Sequence, residues 1–161
     1  MMSGSKSVMS SKPHLAYQLS RAISIACDAH EGQYRADGQP YIFHPLTVAS
    51  KLYDPVNQII AVLHDVLEDS TKYTGSDLVR IFGPEIGVDV MHLTHDESVR
   101  YDTYINDCSI NQRCKAVKVA DLMHNLETID NITPETKRKK MKDRYLKAYK
   151  KLTGHEYNDS M

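Results

Sequence analysis

Almost throughout this chain the apolar residues recur at spacings of three and four, and no segment alternates with period two for long enough to build a sheet. That pattern predicts an all-α fold. Leu15, Leu19, Ala22, Ile23 and Ala26 form one apolar stripe on a first helix that fades near Gly32. Tyr34 to Pro45 contains Gly38, Pro40 and Pro45 and reads as a loop, with Pro45 in the first turn of a second helix running to about Tyr53. Asp54-Pro55 ends that helix and opens a third. There Ile59, Ile60, Val62, Leu63, Val66 and Leu67 are apolar nearly all round, as expected of a helix central to the fold. Ser76 suits the N-cap of a short helix ending at Gly83, and Pro84 opens another through Leu93. Helices follow around Tyr101 to Cys108 and from Asn111 to Ile129. Thr133-Pro134-Glu135 then starts a last helix with proline at its first position.

A chain of 161 residues fits one domain, and an apolar fraction of 41% is enough for one core. The expected division is a disordered, Ser-rich tail over 1–11, one helical-bundle domain over 12–153 and a C-terminal tail over 154–161. With no Trp and two Phe, the ten Tyr and the aliphatic residues are expected to do the packing. Cys27, Cys108 and Cys114 lack metal-type spacing and read as small core residues in a reducing compartment. Neither a signal-peptide stretch nor a membrane-length apolar run is present, so the expectation is a soluble, cytoplasmic protein with no membrane partner. The formal net charge is −1, which gives no overall bias toward polyanions. Nine of the 20 basic residues nonetheless fall between Lys137 and Lys151, against the single acid Asp143. No nucleic-acid motif accompanies this run. It reads as a solvated helix face or the rim of a phosphate pocket, and nucleic acid is not the expected partner.

The chemistry concentrates at Leu63-His64-Asp65-Val66-Leu67-Glu68-Asp69-Ser70. On a continuous helix the pairs His64/Glu68 and Asp65/Asp69 share one face. Three carboxylates crowded on an otherwise apolar helix cost energy unless a cation or a catalytic role compensates. Neutral imidazole plus carboxylate suits a divalent transition ion, and Glu68 with Asp69 could then position water or move a proton. Asp121 lies among apolar positions, with Lys118 three before it and Asn125 four after it, so the three can share a face. His44, before Pro45, enters a helix from a loop. Together His44, His64, Asp65 and Asp121 would supply two nitrogens and two carboxylates, leaving ligand positions open for water and phosphate. Two histidines favour Mn²⁺, Fe²⁺ or Zn²⁺ over Mg²⁺.

The order H…HD…D resembles the HD phosphohydrolase superfamily. Gly32 to Leu46 (GQYRADGQPYIFHPL), Leu63 to Ser70 (LHDVLEDS) and Lys118 to Leu126 (KVADLMHNL) are similar to three successive motifs of the hydrolase domain in RelA/SpoT proteins. The likeness covers about Leu15 to Leu152 and extends to the stand-alone small alarmone hydrolases, including the metazoan SpoT homologue. It implies an HD-domain helical bundle that removes the 3′-pyrophosphate of guanosine 3′,5′-bis(pyrophosphate) or its pentaphosphate relative, leaving GDP or GTP. By motif position His44, His64, Asp65 and Asp121 would bind Mn²⁺, and Glu68 and Asp69 would activate water. Arg35 would stack on or pair with the nucleotide, with Asn125 on the sugar-phosphate side and Lys118 and Tyr145 as further substrate contacts. Three departures stand out: Ala36 where many members carry a basic residue, and Leu122 and Glu127 where bifunctional enzymes commonly carry Arg. These would remove positive charge near a polyphosphate. Two other readings stay open: a phosphatase acting on NADPH, a deoxynucleotide or a similar nucleotide, and a nucleotide-binding module with little turnover.

Overall fold

A computed structural model describes residues 12–160; the tail expected over 1–11 lies outside them, as does residue 161. Nine α-helices follow in order among the described residues: α1 (Lys12–Ala29), α2 (Phe43–Ser50), α3 (Pro55–Leu63), α4 (Val66–Asp69), α5 (Gly75–Phe82), α6 (Pro84–Leu93), α7 (Tyr101–Ile110), α8 (Gln112–Glu127) and α9 (Glu135–Thr153). A single 3-10 turn, Ile129–Asn131, joins α8 to α9. The all-α expectation holds: the described residues contain no strand, only an isolated bridge between Tyr34 and Pro40.

The central helix is α3, as its all-round apolarity requires. Ile59, Ile60, Ala61, Val62 and Leu63 are all fully buried, with α1, α2, α6 and α8 packed around them. Each such aliphatic side chain contributes roughly 1.5–3 kcal/mol by leaving water. Its start is fixed locally: the Asp54 carboxylate accepts from the Val56 and Asn57 amides at 2.8 and 3.1 Å, and Pro55 follows at the first helical position. Asn111 caps α8 in the same way, accepting from Arg113 N and Cys114 N. For α5 the cap is Thr74 rather than Ser76, because Asp77 three residues on completes a reciprocal capping box. Gly83, at φ 91°, turns the chain from α5 into α6. Those two helices close tightly at Gly87, where a Cβ would lie 2.5 Å from Val79 Cγ2 and 2.7 Å from its backbone nitrogen. Pro134 is the N-cap of α9, one position before the place expected.

Two further expectations are corrected. Of the ten tyrosines only Tyr104 is buried; Tyr73, Tyr101, Tyr145 and Tyr149 pack against the core from its edge, and the aliphatic side chains fill its interior. Cys108 and Cys114 are buried, but Cys27 is exposed because it faces away from the α1 stripe of Ala22, Ile25, Ala26 and Ala29.

Candidate metal centre and nucleotide pocket

The expected continuous helix through the His-Asp doublet is interrupted at the doublet itself. α3 ends at Leu63, His64 and Asp65 form a turn, and α4 restarts at Val66. The His64 amide takes the Ala61 carbonyl at 3.4 Å, three residues back, and His64 Nδ1 lies 2.6 Å from that same oxygen. The helix is broken at His64, although the Asp69 amide still donates to the Asp65 carbonyl at 3.0 Å, and the doublet turns inward: His64 and Asp65 are buried while Glu68 and Asp69 are exposed.

The four expected ligands converge from α2, the α3–α4 turn and α8. His44 Nε2 lies 2.9 Å from Asp121 Oδ1 and 3.5 Å from Asp65 Oδ2. His64 Nε2 lies 3.1 Å from Asp65 Oδ2 and 3.4 Å from Asp121 Oδ1. Donor atoms around one octahedral ion with bonds of about 2.1 Å stand about 3 Å apart, so the spacing suits a single cation. Both rings are oriented for it. His64 Nδ1–H donates to Ala61 O, which leaves Nε2 as an acceptor, buried and without a hydrogen-bond partner. His44 Nδ1 meets His124 Nδ1 at 2.7 Å, so one ring must donate. Burial, then His44, pushes the His124 pKa down to about 4, keeping that ring neutral. A cation at the centre would take the His44 Nε2 lone pair, with the His44 proton on Nδ1 donating to His124. Two lone pairs facing two carboxylates repel unless a cation lies among them. The chain alone answers with a proton: burial disfavours charged His64, but Asp65 and Asp121 outweigh it and raise its pKa well above the ordinary value.

Neighbours pin the carboxylates. Tyr41 donates to Asp65 Oδ2 at 2.7 Å, Lys118 to Asp121 Oδ2 at 2.8 Å and Asn125 to Asp121 Oδ1 at 3.0 Å. Burial pushes both carboxyl pKa values up, but the imidazoles, and Lys118 beside Asp121, pull them below the usual range. Glu68 Oε1 accepts from the His95 amide at 2.8 Å and faces a pocket of about 230 Å³ over the four ligands. Asp69 does not line that pocket; its backbone oxygen accepts from Gln33 Nε2 at 2.8 Å. Burial and the nearby Asp65 charge raise the pKa of both acids. Each therefore accepts a proton more readily than an ordinary carboxylate.

Arg35, Tyr41, Asn125 and Tyr145 line this pocket and also an adjoining cavity of about 330 Å³, which reaches Ala36, Asn131 and Lys137. Arg35 is held at the junction, donating to Thr128 Oγ1 at 2.9 Å and to Asn125 Oδ1 at 3.4 Å. Nine of the ten residues singled out from the sequence line these two cavities, and Asp69 does not. The sequence reading missed Tyr41, His124, Thr128, His95 and Arg144. Tyr41 and His124 lie inside motif segments, but no spacing signals that His124 supports a ligand 80 residues away. The charge departures are also corrected. Leu122 is fully buried in the core and Glu127 is bonded to Lys51 at 2.6 Å; neither lines the two cavities, and only Ala36 does.

No family model matches the chain. It is 34% identical over 134 residues, 74% of its length, to a guanosine-3′,5′-bis(diphosphate) 3′-pyrophosphohydrolase of Haemophilus influenzae, of which the match covers 20%. It is 34% identical over 151 residues, 84% of its length, to a GTP pyrophosphokinase rsh of Brucella melitensis, covering 20% of that protein. It is 31% identical over 137 residues, 76% of its length, to the bifunctional (p)ppGpp synthase/hydrolase SpoT of Escherichia coli, covering 19%. The chain thus spans about a fifth of these relatives. Its fold superposes with a TM-score of 0.74, at 25% identity and with 88% of both chains covered, on a metazoan orthologue of SpoT that hydrolyses ppGpp. No helix among the described residues is long and apolar enough to cross a membrane. The helical bundle, the inward-turned His-Asp doublet with its partners on α2 and α8, and these relatives agree: the chain is similar to one part of the SpoT and Rsh proteins and has the fold of the metazoan SpoT orthologue.

Proposed function

We propose that this domain hydrolyses the 3′-pyrophosphate of guanosine 3′,5′-bis(pyrophosphate) or its pentaphosphate relative, releasing pyrophosphate and GDP or GTP, with Mn²⁺ as the cofactor. The observation that carries the proposal is the convergence of two imidazole Nε2 atoms and two pinned carboxylates on one point beside a nucleotide-sized cavity. His44, His64, Asp65 and Asp121 would hold the ion. A divalent cation so held supplies positive charge to a phosphate group and acidifies water.

The chain's own residues do the rest. Tyr41, Lys118, Asn125 and His124, with the Ala61 carbonyl on His64, fix the four ligands, so little reorganisation accompanies the reaction. Water oxygen forms a bond to the phosphorus attached to the ribose 3′-oxygen, and that P–O bond breaks. Glu68, facing the pocket with a raised pKa, takes the proton of the attacking water, and the leaving 3′-oxygen ends protonated. Asp69, one residue on and also raised, assists by holding the local water. Arg35 stacks on or pairs with the nucleotide at the junction of the two cavities, while Asn125 and Tyr145 hold the sugar-phosphate side.

The test is purified protein with Mn²⁺ and a nucleotide panel. ppGpp should give the highest kcat/KM with pyrophosphate as product, and metal removal should stop turnover. A second reading, a phosphatase for NADPH or a deoxynucleotide, draws support from the uncharged Ala36 in the cavity wall; a higher kcat/KM for such a nucleotide would select it. Tight ppGpp binding with no product at saturating Mn²⁺ would instead leave a binding module.

A further inference from the structure

The metal pocket opens on a second side. A groove of about 560 Å³ runs between α7 and α9, and Tyr101 and Arg144 line both the groove and the metal pocket. The pocket therefore stands between two cavities, joined to the nucleotide side through Arg35 and Asn125 and to the groove through Arg144.

Three long cationic side chains reach the metal pocket: Arg35, Lys118 and Arg144. Arg35 is engaged by Thr128 and Asn125. Lys118 is engaged by Asp121 at 2.8 Å. Arg144 has no carboxylate partner among the described residues. Its Cζ instead sits 4.5 Å from the centroid of the Tyr101 ring and 5.7 Å from that of Tyr145. Beyond a hydrogen bond with the Tyr145 hydroxyl, the stacked guanidinium keeps in-plane N–H groups that no carboxylate occupies, and such a fork matches phosphate oxygens in pairs. Beyond it the groove adds Lys140 and Lys151, likewise without carboxylate partners among the described residues, whereas Arg100 and Lys147 are paired with Asp102 and Asp143 at 2.9 Å.

We infer that Arg144 is a specificity-determining residue: it grips the terminal phosphate of a 3′-pyrophosphate, one phosphorus beyond the group at the metal centre, and so selects pyrophosphate-bearing nucleotides over 3′-monophosphates. The inference rests on the proposed hydrolase reading for its substrate. Its physical content is simpler: the site has a separate cation for a second phosphorus, placed away from the nucleoside cavity.

The experiment compares wild type, Arg144→Gln and Arg144→Lys as Mn²⁺-loaded protein, with folding followed by circular dichroism. Calorimetric titration with inorganic pyrophosphate and with orthophosphate reads binding without turnover. Arg144→Gln should weaken pyrophosphate about 30-fold, the loss expected for one charge-assisted contact, and orthophosphate by less than about threefold. Arg144→Lys should recover part of the loss, since it restores charge but not the fork. In kinetics, KM for ppGpp should rise in Arg144→Gln, and the preference for ppGpp over guanosine 5′-diphosphate 3′-monophosphate should collapse. Unchanged pyrophosphate affinity, or an equal loss for both anions, overturns the inference. A wild type that does not hydrolyse ppGpp overturns the proposed function instead, and the anion titrations still decide the role of Arg144.

Discussion

α3 and α9 form opposite kinds of wall around the same site. α3 is sealed: its last five residues are fully buried, and the turn that ends it delivers His64 and Asp65 into a ring of partners within 3.5 Å. α9 is open: of its 19 residues only Ala148 and Leu152 are buried, and nine are Lys or Arg. The contrast separates two tasks. Holding a cation needs donor groups whose position is set before the ion arrives, so they are placed on packed backbone and each is held by a neighbouring hydrogen bond. Under the proposed function a flexible polyphosphate would be met by charge that reaches outward, and the exposed basic face of α9 supplies that charge.

Four substitutions press on this contrast. The largest effect is expected for Asp65→Ala on the sealed side: turnover should vanish and Mn²⁺ binding by calorimetry should be lost, while the helical circular dichroism spectrum persists. Retained activity would sink the ligand assignment. Next, Leu152→Ala removes one of the two side chains anchoring α9, at 2% exposure, and should cost roughly 2–5 kcal/mol in denaturant unfolding. A cost under about 1 kcal/mol would mean that α9 adds little to the core. Third, His124→Ala takes away the acceptor that orients His44 and should weaken Mn²⁺ about 10- to 100-fold, with a smaller change in stability. Equal metal affinity in that variant would show that His44 needs no support. Smallest, Lys139→Ala breaks an exposed pair with Glu135 on the α9 surface and should shift stability by less than about 0.5 kcal/mol. A larger shift would contradict the view of that face as solvated.

Local signals were legible to different depths. The Asp54-Pro55 start of α3 and the Pro84 start of α6 follow from one or two residues, because a cap is satisfied within a single turn. The start of α5 was misplaced by two residues: Ser76 has cap chemistry, but Thr74 also has Asp77 at the position that closes the box. The break at His64 was not legible. The apolar run continues past it to Val66 and Leu67, and only the folded chain shows the His64 ring reaching back to Ala61. The buried Leu122 and the Lys51-bonded Glu127 carry the same lesson, since motif position alone placed their missing charges beside the substrate.

By itself the sequence determined the helical class, the central helix and the set of residues competent for the chemistry: His44, His64, Asp65, Glu68, Asp69 and Asp121. Those depend on periodicity and on side-chain type, which are properties of the chain read in order. Tertiary structure alone decided which nitrogen of each histidine faces inward, which acid faces the pocket, and that Arg144 lines the pocket and the α7–α9 groove but not the cavity beside Arg35. The physical reason is that lone-pair direction and charge pairing are set by partners brought close in space. His44 and His124 lie 80 residues apart in the chain and 2.7 Å apart in the fold.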